Sequence, residues 1–185
     1  MIKTRKDLKD YIKMDLAPFS FKKNWKLKIW AFITKDINYY RIRYCVHLRK
    51  LEYAIIKKRP VSKWFHKLRK NKIGQKFGWE IPSFVCGPGL HLWHANVVIN
   101  DDAKIGANAL FHGNNCIGRK GEGEINNLSP EIGDNLNLGF GSVIIGPVKL
   151  KDNIIIGANT TVVKSFEESD LTIVGSPARI VKNEK

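Results

Sequence analysis

The chain has 185 residues, a formal net charge of +15 and 43% hydrophobic residues, among them five Trp, nine Phe and five Tyr. This composition excludes an intrinsically disordered chain, and no run of about 18 uncharged apolar residues suggests a membrane-spanning helix. The charged N-terminus lacks the apolar core of a secretory signal, so we expect a cytoplasmic protein with one main domain and an appendage.

The positive charge is confined to the first part of the chain. Residues 1–80 hold 23 Lys and Arg against 6 Asp and Glu, whereas residues 81–185 hold 9 against 11. The sequence therefore predicts a basic N-terminal region over 1–80 and a neutral domain over 81–185. A basic region of this kind should attract an anionic surface.

The basic region is expected to be α-helical. Pro18 and Pro60 mark breaks between helices, and segment 19–35 combines five aromatic residues with five lysines. That segment suits peripheral contact with the inner face of an anionic membrane, or it packs as a helical cap, and both interpretations stay open. No recognised nucleic-acid-binding motif accompanies the charge, so we expect no nucleic acid. Apolar residues at helical spacing are Ile42, Val46, Leu51, Ile55 and Ile56.

The three cysteines and two of the histidines have no expected role in catalysis. Cys45, Cys86 and Cys116 are widely spaced and form no C-x-x-C pair, so we expect small buried or half-buried residues and no metal. His47 and His66 lie among Arg and Lys, where solvated surface positions are the default expectation.

From Ile81 onward the sequence repeats every six residues, as in INDDAK, IGANAL, FHGNNC and IGDNLN. The first residue of a block is usually large and apolar, and the second is often glycine. This period fits neither an α-helix nor an alternating strand, and a sandwich or α/β sheet would need other spacings. It fits short strands joined by tight turns, three to a coil, with the first residues stacked inward. We therefore predict a mainly β protein, a parallel β-helix with an N-terminal α-helical cap.

The histidines can be placed by counting along this repeat. With three blocks to a coil, residues 18 apart should lie above one another, and both His94 and His112 are second in their blocks. The count predicts two stacked imidazoles on the outer face, and it assigns Trp93 to an inward position. His91 lies in the poorly fitting block GPGLHL and is expected to be structural or exposed.

Three stretches together resemble a known family. They are GPGLHLWHANVVINDDAKIG at 87–106, the repeat blocks, and GSPARIV at 175–181. They are similar to the hexapeptide-repeat acyltransferases of the serine acetyltransferase-like branch, in particular the polysaccharide O-acetyltransferases. The resemblance implies a left-handed parallel β-helix and a homotrimer with its active sites between subunits. It also implies direct acetyl transfer from acetyl-CoA to a hydroxyl, without a metal.

The same resemblance implies roles for individual residues. His94 would be the general base, because imidazole is largely neutral at pH 7, and His112 would orient it or contact substrate. Small residues would let the pantetheine arm approach the backbone, and basic residues near the C-terminus would meet the CoA phosphates. The small ones are Gly139, Gly141, Gly157 and Ala158, and the basic ones are Lys164, Arg179 and Lys182.

The repeat is interrupted by a polar loop insertion at 119–131. We expect this loop to cover the acceptor site, with Arg119 and Lys120 meeting an anionic group, although a plain surface excursion is the alternative. Asn96 is a further candidate for contact with the acceptor.

Departures from the serine acetyltransferase pattern bear on the acceptor. Trp93 stands where that group carries an aspartate, and Ser129 stands where it carries a second histidine. We therefore expect the acceptor to be a sugar hydroxyl of a surface polysaccharide or of its lipid-linked precursor. The alternatives are serine O-acetylation for cysteine synthesis and a noncatalytic trimeric scaffold.

Overall fold

The structure is a computed structural model, and it describes residues 2–17, 33–121 and 128–181. In these ranges three helices precede a series of short strands: α1 (Arg5–Asp15), α2 (Ile37–Ile56) and α3 (Pro60–Phe77). Pro18, Lys182 and most of the aromatic and lysine-rich segment 19–35 lie outside the described residues, as does the middle of the loop insertion.

The helix ends follow from local sequence. Thr4 accepts a hydrogen bond from the backbone of Asp7, whose carboxylate accepts one from the Thr4 backbone, a capping box that begins α1. The Asp36 side chain caps α2 by accepting from a backbone N–H. Pro60 lies at the predicted break between helices and occupies the first turn of α3, and Gly78, at φ 66°, ends that helix.

The strands form three sheets, which the chain visits in turn. We call one passage through sheets A, B and C a coil. Every strand pair is parallel except β13 with β14. Sheet A contains β1 (Trp79–Glu80), β3 (Val97–Ile99), β6 (Asn115–Gly118), β9 (Val143–Ile145) and β12 (Thr161–Val162). Sheet B contains β4 (Lys104–Ile105), β7 (Glu131–Ile132) and β10 (Lys149–Leu150). Sheet C contains β2 (His91–Leu92), β5 (Leu110–Phe111), β8 (Asn137–Leu138), β11 (Ile155–Ile156), β13 (Thr172–Val174) and β14 (Arg179–Ile180).

The core is a stack of inward side chains at the predicted spacing of six. From Ile99 onward, the first residue of every block is at most 6% exposed, and the count resumes unchanged after the loop insertion. Stacking of successive coils buries these residues, since one coil alone could not enclose them. They are Ile99, Ile105, Phe111, Ile117, Ile132, Leu138, Ile144, Leu150, Ile156 and Val162.

Asparagines form a ladder where the chain turns from sheet B to sheet C. Asn108, Asn135 and Asn153 have φ values of 59°, 60° and 60°, a left-handed conformation that Asn tolerates. Each side-chain amide donates to the next rung, from Asn108 to Asn135 at 2.9 Å, then to Asn153 at 2.7 Å and to Asp170 at 2.8 Å. The ladder holds the turns of neighbouring coils at one spacing.

A buried ion pair joins the helical cap to the first coil. Arg49 of α2 is completely buried, and its Nε donates to Asp15 of α1 at 2.7 Å. Its Nη1 donates to the Cys86 carbonyl at 2.9 Å. Asp15 also accepts from the backbone N–H groups of Gly89 and Leu90, at 2.8 and 2.9 Å. Both charges are thereby paired and hydrogen-bonded, the condition under which buried charges are tolerated.

A second contact joins the cap to sheet A. The buried Tyr44 hydroxyl donates to the Trp79 carbonyl at 3.1 Å and accepts from the Ile81 N–H at 3.2 Å. Burial raises the pKa of Tyr44 well above its usual range. The Phe77 ring stacks on Trp79, with centroids 4.8 Å apart. Because Trp79 pairs with Val97, sheet A begins two residues before Ile81.

The expectation that His47 and His66 are solvated is wrong. His47 is only 7% exposed, and its Nδ1 lies 2.9 Å from Nδ1 of His66 across the packed α2 and α3. Desolvation, and then the neighbouring His66, lowers the pKa of His47 to about 4. Desolvation also lowers the pKa of His66. In this contact the Nδ1–H of one ring donates to Nδ1 of the other, so the accepting imidazole must be neutral.

The cysteines match their expected placement. Cys45 and Cys86 are buried and Cys116 is half-buried, all three without a disulfide. Burial raises the pKa of the Cys86 thiol to about 12, so it stays protonated and inert at neutral pH.

We expect Asp15→Ala to lower the free energy of unfolding by about 3–5 kcal/mol, because Arg49 would keep a buried charge without its main partner. Urea unfolding followed by circular dichroism measures this change. The matched control is Asp10→Ala, an exposed residue of the same helix. Equal effects of the two substitutions would contradict the role of the ion pair.

The free energy of unfolding should fall as the pH falls from about 6.5 towards 4. Unfolded histidine binds its proton near pH 6.5, whereas folded His47 does so only near 4, so protons favour the unfolded state in that window. Urea unfolding at several pH values should give a weaker dependence for His47→Gln than for the wild type. His94→Gln, at an exposed histidine, serves as the control. Identical slopes for His47→Gln and the wild type would refute this assignment.

Candidate active site

Both candidate catalytic histidines lie where the chain turns from sheet C to sheet A. We call this turn, repeated in each coil, the C–A corner. It comprises residues 93–96, 112–114, 139–142 and 157–160. Aromatic and histidine side chains occupy the first two levels, and small residues dominate the two below.

The register of the strands changes across the first of these turns. In sheet C, Leu92 lies beside Phe111, 19 residues further on, whereas in sheet A, Val97 lies beside Asn115, 18 residues further on. The connection between β2 and β3 therefore holds one residue more than the connection between β5 and β6.

This extra residue makes two predictions wrong. His94 and His112 do not stack; instead the Trp93 ring lies parallel to His112, with centroids 6.5 Å apart and an interplanar angle of 11°. Trp93 is also not inward, since it is 46% exposed, and Leu92, at 1%, takes the inward place. The hexapeptide count from Ile99 backwards misassigns these residues by one position.

His94 projects from the corner above the next coil. Its side chain is exposed, and its ring meets Phe140 edge-on with centroids 6.4 Å apart. A Cβ built on Gly113, whose φ is 111°, would lie 2.6 Å from the His94 Cβ, so glycine makes room for the histidine. The indole N–H of buried Trp79 donates to the His94 carbonyl at 3.0 Å and fixes its backbone.

His112 is half-buried one coil further and has a fixed partner. Its Nε2 lies 3.0 Å from the Asn137 side-chain oxygen, so Nε2 donates and Nδ1 remains an acceptor. Asn137 is not among the residues predicted from the sequence, because the loop insertion separates it by 25 residues from His112. Deleting the insertion from the count would have brought it into the neighbouring coil.

The predicted CoA residues fall in two places. Gly139 and Gly157 lie directly below His112 at the C–A corner, and a Cβ on either would come within 2.8 Å of the next coil. Gly141 has φ 72° and Ala158 is exposed at the same corner. These residues leave backbone open to an approaching ligand, and the close packing of the coils requires the glycines in any case.

The basic candidates lie in the last coil. Lys164 is exposed, with its Nζ over the Phe166 ring at 5.4 Å, and Arg179 is exposed on β14. The structure does not bring either side chain to the histidines, and Lys182 lies outside the described residues.

The candidates from the loop insertion lie at another turn, between sheets A and B. Arg119 pairs with Asp102 at 3.6 Å, and the buried Ser129 hydroxyl donates to Asn100 at 2.9 Å. Lys120 is exposed. Within one chain, the structure therefore does not bring Arg119, Lys120 or Ser129 to the histidines, and these substrate assignments stay predictions.

Asn96 is hydrogen-bonded within its turn, and His91 lies on β2. Asn96, at φ 60°, donates to the Asn114 side chain at 2.8 Å and belongs to the turn itself. His91 is half-buried, and desolvation lowers its pKa.

Over the described ranges, no three His, Cys, Asp or Glu side chains group closely enough to hold a metal. No helix in those ranges has the length and hydropathy needed to cross a membrane.

No protein-family model matches the sequence, and no curated protein matches it significantly. Solved structures do. A Brucella abortus serine acetyltransferase matches 96% of this chain and 69% of its own at 18% identity, with a TM-score of 0.69. A Neisseria gonorrhoeae serine acetyltransferase in complex with serine matches 96% and 70% at 22% identity, with a TM-score of 0.69. A serine acetyltransferase in complex with CoA matches 96% and 71% at 20% identity, with a TM-score of 0.68. At these identities the likeness shows a shared fold.

Proposed function

We propose that this protein is an acetyl-CoA-dependent O-acetyltransferase whose coils wind as a left-handed parallel β-helix. The observation that carries the proposal is that the exposed His94 and the half-buried His112 lie at one corner, with glycines at the levels below them. Solved serine acetyltransferases, one of them in complex with CoA, share the fold on which this corner lies.

The proposed reaction is a direct transfer with His94 as general base. The His94 imidazole takes the proton of the acceptor hydroxyl as its oxygen attacks the thioester carbonyl, which forms a C–O bond and a tetrahedral oxyanion. Collapse of this oxyanion restores the carbonyl as the new ester and breaks the C–S bond, and the CoA sulfur leaves with the proton that His94 returns. His94 is suited to this task because its ring is exposed to incoming substrates while the Trp79 hydrogen bond holds its backbone.

His112 is proposed as the second polar group of the site. Its Nε2 is engaged by Asn137, so only Nδ1 remains to accept a hydrogen bond from substrate or from a neighbouring side chain. The Trp93 ring lies parallel to this imidazole, with centroids 6.5 Å apart. Asn137 is therefore a positioning residue in this scheme.

The donor would run along the lower levels of the C–A corner. Gly139, Gly141, Gly157 and Ala158 present backbone rather than side chains there, which suits the amide groups of a pantetheine arm. The exposed Lys164 and Arg179, together with Lys182, are proposed to meet the CoA phosphates. No metal is part of this scheme.

The comparisons favour serine as acceptor over a sugar. Among the matching structures, one serine acetyltransferase is in complex with cysteine and another with serine. Serine O-acetylation is therefore the alternative that the fold supports better.

A sugar acceptor is supported by the site residues alone. The 46% exposed Trp93, next to His94, offers an apolar ring face on which the C–H groups of a sugar ring can pack. Ser129, buried against Asn100, cannot replace a histidine that holds an amino acid carboxylate. We keep a polysaccharide or its lipid-linked precursor as the acceptor proposed from these two residues. Thiol release from acetyl-CoA with L-serine separates the candidates, since rapid serine-dependent turnover would exclude the sugar.

A homotrimer would complete the site. In one chain the histidines and the loop insertion lie at different corners, so Arg119 and Lys120 can only serve an acceptor held by a neighbouring copy. Light scattering tests the assembly, and a monomer with full activity would contradict this arrangement.

His94→Ala should lower acceptor-dependent thiol release by about 10²- to 10⁴-fold, the usual cost of removing a general base. His91→Ala, on the adjacent strand, is the control and should keep most of the rate. A His94→Ala enzyme with more than about a tenth of the wild-type rate would remove His94 from the role of base. A wild-type protein that releases no thiol with any acceptor would instead favour the noncatalytic scaffold.

Gly113→Ala should lower kcat by about 10²-fold, because the added Cβ would displace His94 and a 1 Å misplacement can cost that much. Gly118→Ala is the matched control, since its Cβ would meet only ordinary contacts at 3.7 and 3.8 Å. Steady-state kinetics with acetyl-CoA measure both variants. Unchanged kcat in Gly113→Ala would show that the position of His94 over Gly113 is not required.

A further inference from the structure

One side of α3 exposes large apolar side chains, although its other side packs against α2 and Trp79. Val61, Trp64 and Leu68 are 80%, 65% and 49% exposed, and Phe65 is 42% exposed. Their spacing of three and four puts them on one side of the helix, which we call the α3 face. Scattered apolar residues are normal on a surface, but a contiguous group of this kind indicates an interaction site.

The charge around the α3 face has a single sign. Segment 57–76 contains nine Lys and Arg and no Asp or Glu. The Arg69 guanidinium lies over the Phe65 ring, 5.3 Å from its centroid, so cation and apolar surface are directly adjacent. Eight of the nine cations are exposed: Lys57, Lys58, Arg59, Lys63, Lys67, Arg69, Lys72 and Lys76.

We propose that the α3 face docks on an anionic lipid bilayer, with the helix lying in the plane of the interface. Apolar side chains would enter the boundary between headgroups and acyl chains, while Lys and Arg meet the anionic headgroups. A second copy of this chain is a poor occupant, because two α3 faces would bring like charges together. The proposal is independent of acetyl transfer.

The first turn of α3 shows how the apolar and the basic side chains of the α3 face would act together. A shallow depression of about 630 Å³ lies there between Pro60, Val61 and Trp64 on the apolar side and Lys58 and Arg59 on the basic side. The Arg59 guanidinium is also held over the Tyr53 ring of α2, at 5.7 Å. A headgroup seated at this turn would therefore meet cations at the point where the apolar residues enter the bilayer.

The test is sedimentation of the full chain with vesicles. Vesicles of phosphatidylcholine with about 30% phosphatidylglycerol are compared with phosphatidylcholine alone, at about 0.05 M and 0.5 M salt. We expect binding only to the anionic vesicles, and weaker binding at the higher salt concentration. No binding to anionic vesicles at low salt would overturn the proposal.

The apolar part of the α3 face is tested by combining Trp64→Ser with Leu68→Ser. The matched control combines Ile155→Ser with Val163→Ser, which are 47% and 58% exposed in the neutral domain. The first pair should lose most vesicle binding and the second should not. Equal binding by both pairs would overturn the proposal.

The basic part is tested by combining Lys63→Gln with Lys67→Gln. Binding should weaken about fivefold for each removed charge, since one cation near an anionic surface contributes about 1 kcal/mol. Lys149→Gln with Lys151→Gln removes the same charge from exposed positions elsewhere and should bind like the wild type. Equal weakening in both pairs would mean that net charge, not the α3 face, causes binding.

Two further measurements keep these outcomes distinct. Circular dichroism checks that every variant is folded. Light scattering of the Trp64→Ser and Leu68→Ser variant reports its assembly. If this variant changes oligomeric state while the wild type ignores vesicles, the α3 face is an interface between copies and the proposal is wrong. Thiol release with a water-soluble acceptor, measured in parallel, tests acetyl transfer separately. The absence of vesicle binding would therefore not count against that activity.

Discussion

The inward stack at six-residue spacing is the constraint on which the rest of the structure depends. Strands of two to four residues have too few backbone contacts to fix their own register, so the buried side chains of adjacent coils fix it. Leu92 pairs with Phe111, and Val97 stays buried in sheet A. The chain takes five residue steps from Leu92 to Val97, whereas in the next coil it takes four from Phe111 to Asn115. The surplus residue can only be accommodated in the turn. The stack thereby carries Trp93 and His94 to the outer surface.

The same constraint explains which features the sequence predicts. From Ile99 onward the period is unbroken in phase, so the inward residues follow by counting. Before Val97 the six-residue phase shifts by one position, and no residue type marks the shift. Counting therefore assigns His94 as the stacking partner of His112, a place that Trp93 takes in the structure. Asn137 was missed because the insertion hides its coil position. The His47 contact depends on how α2 and α3 pack, which periodicity does not specify.

The histidine turn is anchored on both sides, by the cap before β2 and after β2 by Trp79 of sheet A, which packs against the cap. Asp15, held by buried Arg49, binds the N–H of Leu90 just before β2, while the Trp79 indole binds the carbonyl of His94 just after it. Ion pairs of this kind add little net stability but are directional, and breaking one is costly. A purely apolar contact could slide by a fraction of an ångström. The cap therefore acts as the frame of the candidate base, besides covering the end of the core.

Helix α3 links the candidate site to the proposed lipid contact. On its inner side, Gly74 lies so close to the Trp79 carbonyl that a Cβ would come within 2.5 Å, and Trp79 in turn holds His94. On its outer side it carries the α3 face. A free amino acid acceptor reaches His94 by diffusion and gains nothing from a lipid surface. A lipid-linked sugar is confined to that surface, so an enzyme held there meets it at a higher local concentration. Vesicle binding without serine dependence would therefore favour the lipid-linked sugar, and serine dependence without vesicle binding would favour serine, so measuring both separates the two acceptors more sharply than either alone.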